Sequence, residues 1–279
     1  MFAEFIQDLN ERAKAANVHS DSDYIGSDGL QYCGVCREPK EAYIEEKYKM
    51  FIPEGKVAIM CRCAREIRDK EQQEQERRRA WELSEQLRRE GLTDPAYLNF
   101  TFESDNGSAP QAISAARWYA DNFEELRREN KGIMFMGSVG TGKTFAACCI
   151  ANALIDRGVS VWVTTLFPLL RAAGDFKKSE SVFERIKAVD LLVLDDLGTT
   201  QNSERNTELL FQIIDEREKS GKPLVITTNL SPDDMKNAPL ELERAYDRII
   251  KLCVCEKSPV ILTGGSLRRR AAREKQRGK

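Results

Sequence analysis

One histidine, His19, is all that 279 residues contain. It lies well before the cysteine pairs described below and reads as a surface residue, so metal ligation falls to sulfur. Long apolar runs are missing as well. None reaches the ~20 residues that a helix needs to cross a bilayer, which excludes a membrane-spanning helix; no membrane partner is expected. The opening MFAEFIQDLNERAKAANV lacks a basic n-region and a long apolar h-region. No signal peptide is therefore expected, and the expected compartment is the cytoplasm. There is no internal repeat, which excludes solenoid and propeller arrays. Charged residues make up 32% of the chain and the mean hydropathy is −0.50, so a soluble protein is expected.

Net charge is only −2 but is unevenly spread, for the tail SLRRRAAREKQRGK carries seven Lys or Arg against one Glu. Such a tail attracts nucleic acid or an acidic partner, or is simply a solvated end. Eight cysteines are present. In a reducing compartment they argue for metal ligands or reduced core thiols, not disulfides.

Four segments are expected: a small unit over 1–65, a charged helical linker over 66–95, a larger domain over 96–268 and a basic tail over 269–279. The first opens with Phe2, Phe5, Ile6 and Leu9, spaced as one helix face. It has few residues with which to build a core and needs a staple. Cys33-x-x-Cys36 and Cys61-x-Cys63 supply one, because thiolates two or three apart wrap a single tetrahedral ion and the second pair closes it across a loop. Four thiolates suit Zn²⁺; an Fe–S cluster takes the same donors, and free structural thiols are the plain alternative. The stretch 64–90 is almost all good helix formers with sparse apolar positions, Ile67, Trp81, Leu83 and Leu87. It predicts a solvated connecting helix without a sustained heptad, stopped by Gly91 and Pro95.

From residue 96 the chain alternates short apolar strands (GIMFMG, VSVWVTT, DLLVLDDLG, KPLVITTN) with helical stretches. This predicts an α/β fold, a parallel sheet covered on both faces. Directly after the first strand comes GSVGTGKT, the Walker A pattern in its strand–loop–helix context. Gly137, Ser138, Val139, Gly140, Thr141, Gly142, Lys143 and Thr144 form it. Glycines let backbone N–H groups curl around phosphate oxygens, and the helix N-terminus adds positive potential. Lys143 is expected on the β and γ phosphates of ATP, with the Thr144 hydroxyl on Mg²⁺. In LLVLDDLG, Asp195 and Asp196 emerge where open α/β sheets bind ligands. Asp195 is expected to hold Mg²⁺ through its water shell. Asp196 would orient or deprotonate the attacking water, at a position where many ATPases of this class carry Glu. Asn229, at the tip of LVITTN, fits the sensor-1 role at the γ phosphate; the alternative is an Asn that starts a turn. Cys148 and Cys149 read as core packing, and Cys253 and Cys255 as alternating strand residues on one face; all four are structural.

Together GIMFMGSVGTGKTFAACCIANALIDRGVSVWVTT, LLVLDDLG, VITTNLSPDDM and ERAYDRI resemble the DnaC-type AAA+ ATPases. These are the helicase loaders of bacteria and phages, similar in turn to the IstB-type transposition ATPases. The resemblance covers roughly residues 96–268 and rests on the set and order of the motifs. It implies an AAA+ core without a helical lid, since the sequence ends soon after TGGSLRRR. It implies a hexameric replicative helicase bound through the N-terminal unit, self-association through the ATPase domain, and contact with single-stranded DNA. GGSLR resembles the family's Gly-x-Ser-x-Arg ending and makes Arg268 a candidate sensor-2-like residue. DFKKSESVFER follows the second strand where DNA-facing loops are expected, with Lys177 and Lys178 near phosphates. Arg244 and Arg248, four apart on one helical face, fall in the family's arginine motif. One of them, Arg248 by preference, would act as a finger on a neighbour's γ phosphate. A surface ladder with Glu241, Glu243 and Asp247 is the alternative.

The reading is thus an ATP-dependent loader of a replicative helicase. Two rivals stand beside it: an IstB-type regulator of a transposase, and a nucleotide-dependent adaptor with little hydrolysis.

Overall fold

The computed structural model describes residues 11, 13–15, 21–49, 55–198 and 203–267. The apolar face over residues 2–9, His19, Arg268 and the tail 269–279 lie outside the described residues. The chain divides into two compact units, Met1–Arg79 and Ala80–Lys279.

The first unit holds two small antiparallel ladders. Strand β1 (Tyr24–Ile25) pairs with β2 (Gln31–Tyr32), and β3 (Glu41–Tyr43) pairs with β4 (Lys56–Ala58). Its described apolar cluster is made of sulfur and little else: Cys33, Cys61 and Ala64 are buried, with Cys36, Met60 and Cys63 against them. Asp23 and Lys40 form a buried ion pair at 2.5 Å, and Asp23 also accepts the Gly34 N–H. That pair anchors the turn bearing the first two cysteines.

Helix α1 (Arg62–Gly91) runs for 30 residues. Ile67, Trp81 and Leu83 are exposed along it, as the sparse apolar pattern predicts. It begins in the first unit, and residues 80–91 belong to the second. There Leu87 packs against the core, Arg88 pairs with Asp156, and Arg185 donates to the Glu90 carbonyl. The helix stops at Gly91, where a Cβ would stand 2.1 Å from the Val161 carbonyl oxygen.

The second unit is built on a five-stranded sheet in the order β6-β7-β8-β5-β9. Its strands are β5 (Ile133–Gly137), β6 (Val161–Thr165), β7 (Leu191–Leu197), β8 (Leu224–Thr228) and β9 (Val260–Leu262), and every pairing is parallel. Helices α2 (Pro110–Asp121), α3 (Phe123–Arg128) and α4 (Lys143–Asp156) pack with one apolar cluster. Helices α5 (Leu166–Ala173), α6 (Ser179–Ala188), α7 (Glu204–Lys219), α8 (Pro232–Lys236) and α9 (Leu240–Leu252) pack with the other. Burial on both faces explains why the strands read as continuous apolar runs.

The four expected strands are present, and β9 is a fifth that the pattern did not announce. The alternation around Cys253 and Cys255 is not a strand. Helix α9 continues through Leu252, because Leu242, Ala245, Tyr246, Ile249 and Leu252 form its buried stripe; Cys253 caps it. Cys255 sits in the turn leading to β9. Both thiols are buried, as are Cys148 and Cys149 in α4.

Arg217 of α7 is wholly buried, with 0% exposure. Its guanidinium donates to the carbonyls of Ile186, Val189, Asp190 and Pro223 at 2.6 to 3.1 Å. It thereby ties the end of α6 to the entries of β7 and β8. Arg217→Leu would leave those acceptors without partners, and Arg217→Lys lacks the fork to reach all of them. Each substitution is expected to lower unfolding free energy by about 3–5 kcal/mol in urea titration. A loss below about 1 kcal/mol would show that water or neighbours replace the guanidinium.

Candidate functional site

In the first unit, the sulfurs of Cys33, Cys36 and Cys63 lie within 4.8 Å of one another. A tetrahedral thiolate site with metal–sulfur bonds of about 2.3 Å requires sulfur separations of about 3.8 Å, so the donors stand close to a ligating arrangement. The buried Cys61 thiol interacts with those of Cys33 and Cys36. All four sequence-predicted ligands therefore gather in one place. Burial pushes the Cys36 thiol up, but the backbone N–H groups of Cys63 and Glu38 and the neighbouring thiols outweigh it and bring it down to about 6. Its bond to Cys36, then burial, pushes Cys63 up to about 11. Cys36 therefore gives up its proton more readily than Cys61 and Cys63, as expected of crowded, interacting thiols.

In the second unit, the phosphate loop joins β5 to α4. Strand β5 lies between β8 and β9 while the chain's next strand, β6, is beyond β7, so the loop sits where strand order switches. Gly140 and Gly142 take φ of +83° and +93°, and a Cβ on Gly140 would stand 2.3 Å from Ser266 Oγ. The loop is clasped by the segment after β9: Ser138 Oγ donates to the Gly264 carbonyl and Leu267 N–H donates to the Gly140 carbonyl.

Lys143 Nζ donates to the carbonyls of Gly137 and Ser138 at 2.7 and 2.8 Å and to Asn229 Oδ1 at 2.9 Å. Burial pulls its pKa below the usual lysine value. Thr144 Oγ1 donates to Asp195 at 2.9 Å. Burial pushes the Asp195 carboxyl above the usual range, opposed by hydrogen bonds from Thr227 and Thr144. Asp196 follows at the end of β7 and lines the cleft together with Lys143, Thr144 and Asn229. The side chains expected at a phosphate–metal site are thus brought together from β7, β8 and the loop.

The cleft has a volume of about 590 Å³, within the range of small-molecule sites. Its other wall was not legible as a site. Phe100, Phe145 and Leu267 supply apolar surface, and Ser104, Asp105, Asn106 and Ser108 supply a polar rim. The rings of Phe100 and Phe145 are 5.3 Å apart. Asn152 of α4 fixes this wall by donating to the carbonyls of Tyr97 and Phe100. Asx turns at Asp105 and Asn106 shape the rim. The stretch ESDNGSAP before α2 was the available signal, a turn-rich loop too long to be a bare connection.

The two arginines of α9 differ. Arg248 donates to Asp215 and, at 2.8 Å, to Glu218, both on α7, and its guanidinium lies 4.7 Å from the centre of the Phe211 ring. Arg244 is exposed. The partners of Arg248 are therefore on α7, and not the carboxylates of its own helix. In the α5–α6 connection Phe176 is 99% exposed and is followed by Lys177 and Lys178. Among the described residues no helix is long and apolar enough to cross a membrane.

Strand, phosphate loop, paired aspartates and strand-tip asparagine define a P-loop ATP-binding protein of the AAA+ class. The family of IstB-like ATP binding proteins matches residues 67–274, and the chain belongs to that family. It is 31% identical over 179 residues to the replicative helicase loader DnaC of Escherichia coli K12, a match covering 61% of this chain and 71% of that protein. It is 32% identical over 170 residues to YdaV of the same strain, an uncharacterized protein, covering 58% and 66%. A crystal structure of DnaI superposes with a TM-score of 0.52 at 24% identity, covering 63% of this chain and 94% of that one. A crystal structure of the DnaC helicase loader gives 0.50 at 24% identity, covering 61% and 100%. These two show the shared fold.

Metal binding by the cysteine cluster carries its own test. Ligating thiols must be deprotonated, so affinity is expected at neutral pH and falls as acid returns the protons. Elemental analysis of protein purified without chelator should find one metal ion per chain, released by about pH 5. Cys33→Ser should remove it and unfold the first unit while nucleotide binding persists. Metal-free protein with a folded first unit would contradict the assignment.

Proposed function

We propose that this chain is an ATP-dependent loader of a replicative DNA helicase. The observation that carries the reading is the 31% identity to DnaC over 179 residues, in a chain whose phosphate-site side chains meet in one cleft. ATP binds with its phosphates on the loop 137–144 and its base toward Phe100 and Phe145. Lys143 leaves its carbonyl partners for the β and γ phosphates. Thr144 and Asp195 hold Mg²⁺, and Asn229 and Asp196 face the γ phosphate and the attacking water. Hydrolysis yields ADP and phosphate. The cysteine cluster holds Zn²⁺, which suits four thiolates, and the unit it staples binds the helicase. Phe176 offers an aromatic face for a base and Lys177 and Lys178 offer charge for phosphates, the pairing that single-stranded DNA requires.

Mixing the full chain with the hexameric replicative helicase of its own host tests the central claim. A complex is expected by size-exclusion chromatography in the presence of Mg·ATP. Lys143→Ala should lose nucleotide binding and the ATP dependence of assembly. Absence of a complex in every nucleotide state would sink the loader reading.

Self-association through the ATPase domain places an arginine of one subunit at the γ phosphate of the next. Arg248 is engaged by Asp215 and Glu218 of its own chain, so the exposed Arg244 is the finger of choice and Arg248 braces its helix. Arg244→Ala is expected to lower turnover by roughly 10³-fold. Mixed with Lys143→Ala, which keeps the finger but has a dead site, it should regain part of that activity. Normal turnover by Arg244→Ala would show the assignment to be wrong.

A further inference from the structure

Both aspartates at the end of β7 are held by a single hydroxyl to which no role has yet been given, that of Thr227. Thr227 of β8 is completely buried. The register of the two strands pairs Leu194 with Ile226 and then Leu197 with Thr228. Asp195 and Asp196 therefore stand together opposite Thr227, the two-against-one arrangement of a β-bulge. The hydroxyl meets both. It accepts the Asp196 N–H at 3.0 Å and lies 2.5 Å from Asp195 Oδ1.

The direction of these bonds follows from donor chemistry. A backbone N–H has only a proton to offer, so Thr227 receives it on a lone pair and sends its own proton to Asp195. Thr144 also donates to Asp195. Two donors converge on one buried carboxylate and favour its ionised form against the effect of burial. The Thr144 oxygen keeps its lone pairs for a cation. Asp196 is constrained differently. Its φ is +58°, a conformation that a non-glycine residue holds only when its surroundings impose it. The bond from its N–H to Thr227 is one such restraint. Thr228 supplies another from the far side by donating to the Leu197 carbonyl at 2.8 Å. Valine would fill the same volume in an otherwise apolar strand, so the hydroxyl's partners account for threonine here.

We propose that Thr227 is a positioning residue for ATP hydrolysis, whose hydroxyl sets Asp195 for Mg²⁺ and holds the Asp196 backbone so that its carboxylate faces the cleft. This rests on the ATPase reading above. Thr227→Val removes the hydroxyl at constant shape, and Thr227→Ser keeps it. In the full chain, Thr227→Val is expected to bind ATPγS without Mg²⁺ within about threefold of the parent. It should need at least tenfold more Mg²⁺ for half-maximal ATPγS affinity and should lower kcat at least tenfold. Thr227→Ser should restore both. If Thr227→Val does not fold, Thr227→Cys takes its place, and an intermediate Mg²⁺ requirement is expected. A parental Mg²⁺ requirement in the Val or Cys variant overturns the proposal, as does a Ser variant no better than Val. Should the parent itself hydrolyse nothing, the ATPase reading fails on its own, and the Mg²⁺ dependence of ATPγS affinity still decides the role of Thr227 toward Asp195.

Discussion

A parallel strand covered by helices on both faces has no room for charge along its length. Met134, Phe135, Leu192, Val193, Val225 and Ile226 are all buried at 2% exposure or less. Ionisable groups are confined to the strand ends, and the ends that collect here are the carboxyl-terminal ones of β5, β7 and β8. Lys143 and Thr144 begin α4 just beyond β5; Asp195 and Asp196 close β7; Asn229 follows β8. The sheet's intolerance of charge thus concentrates cation, carboxylates and amide in one cleft. Desolvation then acts on what it has gathered, lowering the lysine's proton affinity and raising the aspartate's. Hydrogen bonds from Thr227 and Thr144 oppose it at Asp195, and the charges of Asp196 and Asp195 oppose it at Lys143.

The first unit answers to another constraint. It has little apolar material among its described residues, so order must come from elsewhere. A buried Asp23–Lys40 pair and a knot of four thiols take the place of an aliphatic core. An ion at the thiols would convert their mutual crowding into cohesion, and metal-binding energy would become folding energy. The second unit, with two extensive apolar clusters, has no such need. This contrast is the physical reason why cysteines at close spacing mean one thing near the N-terminus and another in α4 or after α9, where buried thiols pack as small hydrophobes.

Much of the ATP-binding unit was legible because its signals are local. Strand, glycine loop and helix follow one another without a break, and the apolar runs of β5 to β8 are bounded by turn residues. What escaped depends on contacts between distant segments. Strand β9 has three residues and earns its place only by pairing with β5. The apparent alternation of Cys253 and Cys255 spans too few residues to outweigh the 3.6-residue stripe that carries α9 through Leu252. Arg248 was placed correctly on its helical face, but its partners Asp215 and Glu218 are about thirty residues away on α7. The apolar wall of the cleft gave only a weak signal, a turn-rich stretch before α2, because its members come from separate elements. Thr227 did leave a trace. A pair of hydroxyls in LVITTN, amid branched apolar residues, must find partners in a buried strand, and they find them on the neighbouring strand, Thr227 at Asp195 and the Asp196 N–H and Thr228 at the Leu197 carbonyl.

The second of those aspartates stands where many ATPases of this class carry glutamate, and the backbone offers a reason. At φ +58° the left-handed region admits Asp and Asn more readily than longer side chains, because a short carboxylate can bond locally. A bulge displaces its extra residue from the regular pleat and re-aims it, which is why bulges recur beside active sites. Shorter side chain and altered backbone therefore belong together. The strain of a positive φ is borne by bonds with the threonines of β8, Thr227 accepting the Asp196 N–H and Thr228 donating to the Leu197 carbonyl. A glutamate grafted onto this backbone would have the longer arm but a less favourable conformation. On that argument the aspartate is not a weakened version of the usual residue; it is the residue that this particular strand end accommodates.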